Sequence, residues 1–186
     1  MSISRPEGGM ISGYGVSFSL DEKEDSVKPN VALFASIDKQ SINQISRSLA
    51  LSKMKTLFED ALFYQQNRDH YKRGNARPLS APLRDLKALG PVIKGQVPFV
   101  VYADRADEIL RLLDWQKELK YSGVKLNLVI RGGAESWKVA RQLNEKRVPV
   151  MIQPSQQTPK TFSKLHSRFD LAAYLEKKGV PLIIYD

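Results

Sequence analysis

Apolar residues gather in short blocks along the second half of the chain, and the blocks alternate in period. Residues 97–102, VPFVVY, form an almost wholly apolar run rich in valine and aromatics. Such a run is predicted to be a strand covered on both faces. Over 104–119 the period changes. Ala106, Ile109, Leu110, Leu113 and Leu119 fall near i, i+3, i+4 and i+7 spacing, with Arg105, Asp107, Glu108, Arg111 and Lys117 between them. That spacing predicts an amphipathic helix. The alternation repeats: strand at 124–130, a Gly132-Gly133 break, helix at 134–143, strand at 148–152. A last helix is predicted over 162–178, with Phe162, Leu165, Phe169, Leu171 or Ala172, and Leu175 facing inward. Gly179 sits where a helix stops, and 180–185 reads as a fourth apolar strand.

The first part of the chain is less regular. Residues 1–30 are rich in Gly and Ser, with an acidic patch at 21–25. Residues 14–20 alternate as an edge strand or hairpin arm does, and 31–35 form a candidate short strand. The longest helical pattern covers 41–66, with Ile42, Ile45, Leu49, Met54, Leu57, Phe58 and Leu62 as its apolar stripe and Ser41 as a candidate cap. Residues 64–80 are polar and basic and read as a surface loop or frayed helix end. A short helix follows over 82–89, stopped at Gly90-Pro91.

Strands alternating with helices at this length predict a parallel sheet with right-handed crossovers. The fold class is therefore α/β: a partial (β/α) barrel of four parallel strands, preceded by an irregular N-terminal region. A soft boundary separates 1–78, irregular with one long helix, from 79–186, the β/α units. Ligands bind such sheets outside the carboxyl ends of the strands. The loops at 102–104, 131–133 and 153–155 are thus expected side by side on one rim.

Composition narrows the function classes. With 42% apolar and 26% charged residues among 186, the chain is long enough and apolar enough for one domain with a good core. It has no cysteine, which excludes disulfides, thiolate metal sites and cysteine nucleophiles and leaves the compartment open. No run of about 18 apolar residues occurs, so a membrane is not an expected partner. Residues 1–15 lack the apolar core of a signal peptide. The net charge of +9 is spread along the chain, with one local cluster at 68–77. Neither a basic stripe nor a recognition helix nor an aromatic-basic RNA motif accompanies it, so it reads as a solvated basic surface, and nucleic acid is not an expected partner.

Candidate chemistry lies on the predicted rim. The ligand-binding candidates are Tyr102, Asp104, Arg105, Gly132 and Gly133. The Gly132-Gly133 turn opens a helix, so its N–H groups are candidates to hold an anion; a tight turn that needs glycine explains it equally. It is not Gly-x-Gly-x-x-Gly, which argues against a dinucleotide. Asp104 is better read as a helix cap than as a site residue, and Asp107 as favouring the helix dipole. His70 and His166 lack metal-type spacing. Trp115 and Trp137 read as packing residues. Asp186 ends the last strand, where barrel enzymes place catalytic groups; a frayed terminal residue is the equal alternative. The residues themselves propose no metal ligand.

Residues 98–109, PFVVYADRADEI, together with 132–140, GGAESWKVA, and Val148-Pro149-Val150, resemble the C-terminal half of amidohydrolase-superfamily proteins, most closely the imidazolonepropionase-like branch. Residues 8–13, GGMISG, resemble a segment of that branch ahead of its long helix. The resemblance implies a metal-dependent hydrolase of amide or cyclic amide C–N bonds on a (β/α)8 barrel. Zinc is the expected metal, a small amide the expected substrate, and an Asp at the last strand, matched here by Asp186, helps move the proton. Full-length relatives are often exported. The chain departs from this pattern. The His-x-His after the first barrel strand is absent, Tyr102 and Asp104 stand where many relatives have His, and Gly132-Gly133 occupies the rim where another His often sits. Lys94 precedes its strand and is not matched to a bridging lysine.

The reading is thus an amidohydrolase-like protein or fragment, inactive alone and holding no cofactor by itself. The alternative is a non-catalytic α/β module that binds an anionic ligand or partner. Exposed apolar strands in a half-barrel also predict self-association or a completing chain.

Overall fold

The computed structural model describes residues 2–4, 9–18, 27–38 and 46–185. Seven strands form one sheet in strict chain order: β1 (Ser2–Ser4), β2 (Ile11–Phe18), β3 (Lys28–Ser36), β4 (Phe99–Ala103), β5 (Leu128–Gly132), β6 (Val150–Ile152) and β7 (Leu182–Ile184). The first two pairings are antiparallel. From β3 to β7 every pairing is parallel. The result is a curled half-barrel of α/β type, as the alternation of patterns predicts.

The parallel part has five strands, one more than the sequence pattern predicts. The extra strand is β3, nine residues long instead of the five read from 31–35. Leu33 pairs with Phe99 and Ser36 with Tyr102. The crossover between β3 and β4 carries the long helix α1 (Arg47–Gln66), followed by α2 (Arg68–Lys72), α3 (Leu83–Ala88) and α4 (Gly90–Ile93). Pro78 lies inside this crossover. Ser46 caps α1, its Oγ accepting from Leu49 N–H at 3.2 Å. Ser41, Ile42 and Ile45 lie outside the described residues.

Side chains alternate cleanly across the sheet. Leu33, Ala35, Phe99, Val101, Leu128, Ile130, Val150 and Ile152 join the main core, with α1, α5 (Ala106–Tyr121), α6 (Ala140–Glu145) and α7 (Leu171–Lys177) packed on that side. Ala32, Phe34, Val100 and Val129, with Met151, make a smaller cluster on the other face. On α1 the buried stripe is Ala50, Leu51, Met54, Phe58 and Ala61. Leu49, expected within it, is 47% exposed.

The polar stretch after α1 is fixed to it by Asp60, whose side chain is 1% exposed. Ser80 donates to its carboxylate through both N–H and hydroxyl, and Arg77 Nη1 lies 2.6 Å away. Burial raises the Asp60 pKa, but the Ser80 hydrogen bonds and Arg77 outweigh it and hold the carboxyl below its ordinary value. A lowered acid contributes stability above the ordinary value of 3.8 and loses it as pH falls through the folded value. Asp60→Asn is therefore expected to cost about 2 kcal/mol at neutral pH and to flatten the acid limb of the stability curve. Urea titrations of both proteins between pH 3 and 7 check this; parallel curves would remove Asp60 from the explanation.

The last predicted helix is the largest departure. Residues 162–178 do not form one helix: a 3-10 turn covers Phe162–Lys164, and α7 begins only at Leu171. Leu171 and Leu175 are buried as expected, but Phe162, Leu165 and Phe169 are 83%, 52% and 85% exposed. Their helical spacing therefore marks no packed face. Likewise β7, expected as a buried strand, is an edge among the described residues, with Ile183 and Ile184 exposed.

Candidate functional site

Sheet register builds the site. Ser36, Tyr102, Arg131, Met151 and Ile183 are successive Cα partners across β3 to β7. They form one row on the face opposite the helices. Above that row, at the carboxyl ends of the strands, a cavity of about 350 Å³ opens between the three predicted loops. Tyr102, Arg131 and Gly132 line it from β4 and β5. Gln153, Gln156 and Gln157 line it from the loop after β6, with Lys164 and Tyr185 closing its far side. The expectation of a shared rim at 102–104, 131–133 and 153–155 holds.

Tyr102 lines the cavity and is tied to Asp104, which does not line it. The Tyr102 hydroxyl donates to Asp104 Oδ2 at 2.7 Å, and Ala134 N–H donates to Oδ1 at 3.3 Å. Burial pushes the Tyr102 phenol well above its ordinary value, and the adjacent Asp104 carboxylate adds to this. The phenol therefore stays protonated and acts as a donor. Burial also raises the Asp104 carboxyl, although the Tyr102 hydrogen bond and the charge of Lys164 oppose it.

Asp104 is not the cap of α5, contrary to the expectation from sequence. Its carboxylate turns toward Tyr102 and the β5 turn. The first N–H groups of α5 are served by other acids: Glu108 Oε2 accepts from Arg105 N–H at 3.2 Å, and Glu135 Oε2 from Ala106 N–H at 3.0 Å. Glu135 is thus a cap supplied by the next loop. It also accepts from Lys138 Nζ at 2.9 Å and pairs with His166 Nδ1 at 2.7 Å. His166 consequently has a partner, although it lies on an exposed turn instead of a helix face.

The Gly132-Gly133 turn does not offer its N–H groups to an anion. Gly133 N–H donates to Ala103 O, Ala134 N–H to Asp104, Glu135 N–H to Asp104 O, and Ser136 N–H to Gly133 O. Its glycines serve the backbone, with φ of 90° and 65°. Gly132 lines the cavity and Gly133 does not. Arg105 is also outside it, paired on the surface with Asp107 at 3.0 Å. Asp186 lies outside the described residues.

The sequence pattern places Arg131 on the rim at 131–133 but gives it no binding role, and it misses Gln157 and Lys164. Arg131 Cζ lies 5.0 Å from the centre of the Tyr102 ring, a cation–π stack. Its Nε is buried and has no hydrogen-bond partner. Gln157 is 3% exposed; its Nε2 donates to Gly132 O at 3.2 Å, while its Oε1 is buried without a partner. Lys164 Nζ donates to Gln156 O at 3.2 Å. The signal for Arg131 in the sequence is a lone arginine at the end of an apolar run; its alignment with Tyr102 comes from the sheet register.

No family model matches the sequence, and no curated protein matches it. The fold is similar to that of an amidohydrolase from Thermotoga maritima MSB8, with a TM-score of 0.74 and 20% sequence identity. The match covers 96% of this chain and 48% of that chain. At this identity the likeness is one of fold. The chain spans about half the length of the protein it matches.

Proposed function

We propose that this chain is an amidohydrolase-like half-barrel that holds a small molecule at its strand ends and does not hydrolyse it on its own. The resemblance at 98–109 and 132–140 and the shared half-barrel fold support the relation. The imidazolonepropionase-like branch is the finer assignment favoured by the sequence segments.

The observation that carries the loss of hydrolysis is the donor set. Zinc in such a barrel needs neutral imidazoles and carboxylates with free lone pairs. Here Tyr102 and Asp104 stand at the strand end and are hydrogen-bonded to each other. Arg131 and Lys164, both cationic, line the same cavity. Among the described residues no three His, Cys, Asp or Glu side chains come together as a metal-holding group. These residues do not fit zinc, and no metal-assisted step is assigned to them.

Elemental analysis after zinc loading and dialysis tests this reading. The expected result is no stoichiometric metal. One equivalent of zinc surviving dialysis, with hydrolysis of a small amide, would reverse it. A fragment screen by NMR tests the binding half: shifts should centre on the backbone amides of Tyr102, Arg131 and Gln157. Silence there across neutral and charged fragments would remove the binding role.

The edge of β7 supports a further reading for partners. Ile183 and Ile184 are 40% and 64% exposed, and among the described residues β7 pairs with β6 alone. Such an edge is a template for another strand, from a second copy or a completing chain. Light scattering should find a dimer or larger species, and a clean monomer alone in solution would leave only the completing chain.

A further inference from the structure

Resting on the reading that the strand-end cavity binds a small molecule, we infer that this molecule carries a carboxylate, held by Arg131 and Lys164, and an N–H group, held by Gln157. Three observations lead there.

The first is charge. Arg131 and Lys164 reach the cavity from different elements, β5 and the turn after β6. Among the described residues no carboxylate lines it. Asp104 is outside the lining, and both of its oxygens are engaged, by the Tyr102 hydroxyl and the Ala134 N–H. Lys164 already acts on the Asp104 carboxyl, but the cavity lining itself carries two cations and, among the described residues, no acid, a balance that favours an anion.

The second is unmet hydrogen bonding. Buried polar atoms are almost always paired, so an orphan is informative. Arg131 Nε is a buried donor without a partner, and Gln157 Oε1 a buried acceptor without one. Both residues line the cavity. A ligand that satisfies both must offer an acceptor and a donor. A carboxylate meets the guanidinium in plane, and an N–H meets the glutamine oxygen.

The third is the preorganisation of Arg131. Its guanidinium carbon lies 5.0 Å from the centre of the Tyr102 ring, and Tyr102 is held in turn by Asp104. The β4–β5 register, Tyr102 opposite Arg131, sets both. A rigid planar fork loses little entropy on binding. The cavity of about 350 Å³ is at the small end for such sites, which suits a compact amino acid derivative.

N-acetylalanine and N-acetylalaninamide, which differ only in the charged end, separate the parts of the inference. Titrations followed by NMR should give at least tenfold tighter binding for the acid. Arg131→Met should weaken the acid at least tenfold and the amide less than threefold. Lys164→Met, at a partly exposed position, supplies a second readout if Arg131→Met fails to fold, and should weaken the acid alone. Equal affinities for acid and amide would overturn the carboxylate while leaving a small-molecule site. Tighter binding of inorganic phosphate would overturn it in favour of a different anion. Failure of every probe overturns the inference, and the wider fragment screen then decides whether the site itself survives.

Discussion

Phe58→Ala is expected to lower the free energy of unfolding by about 3–5 kcal/mol, a large share of the roughly 5–15 kcal/mol that holds a domain of this size. Phe58 is 0% exposed and sits at the centre of α1. Its ring meets Phe99 of β4 edge-on at 5.3 Å and Trp115 of α5 at 4.9 Å. Phe99 and Trp115 also touch, at 6.3 Å. One side chain thus joins the long crossover helix, the central strand and the next helix. Truncation leaves a cavity bounded by a strand and two helices, none free to collapse. Urea unfolding followed by tryptophan fluorescence measures the loss, and Phe58→Leu should recover most of it. A cost below about 1 kcal/mol would mean that α1 does not pack on β4 as described, and the β3–α1–β4 crossover would need revision.

Gly132→Ala is expected to cost about 3 kcal/mol through backbone strain and crowding together, and to abolish ligand binding at the rim. Gly132 has φ of 90°, and an added Cβ would stand 2.7 Å from Asp104 Oδ1 and 3.0 Å from Tyr102 Cε2. Either the turn opens or the Tyr102–Asp104 pair moves, and Arg131 loses the ring it stacks on. Gly74 is the control. Its φ is 74° with open space around it, so Gly74→Ala should cost only about 1–2 kcal/mol, the left-handed conformation alone. Denaturant melts of both variants isolate the crowding. Equal costs would show that contact with Asp104 and Tyr102 adds nothing.

The units legible in the sequence are those buried on both faces. Phe99, Val101, Ile130 and Val150 face helices while Val100 and Val129 face the other cluster, so the strands read as unbroken apolar runs. The pattern at 31–35 understates β3 because its first residues, Lys28, Pro29 and Asn30, are exposed, and its parallel partner lies a whole crossover away. Phe162, Leu165 and Phe169 misled because helical spacing records only where apolar residues fall, not whether anything covers them. The rim itself was legible from strand order, and Tyr102 and Gly132 from position. Arg131, Gln157 and Lys164 were not, because register and a non-helical turn bring them together. Asp104 has the position of a cap in the sequence, and no pattern shows that Glu135, from the next loop, takes that place.

Strand order equal to chain order has a consequence for how the molecule is made. No strand must be inserted between two already paired, and each new strand docks on the edge left by the one before. Each parallel partner still lies a whole crossover away, from 20 residues between Ile130 and Val150 to 66 between Leu33 and Phe99, and non-local parallel pairing of this kind is slow to form. A ribosome releasing the chain N-terminus first can therefore let β3, α1 and β4 settle before β6 has left the tunnel. Throughout synthesis the growing intermediate exposes an unpaired strand edge, so the hazard of misassociation travels along the chain with each unit added instead of waiting for the last.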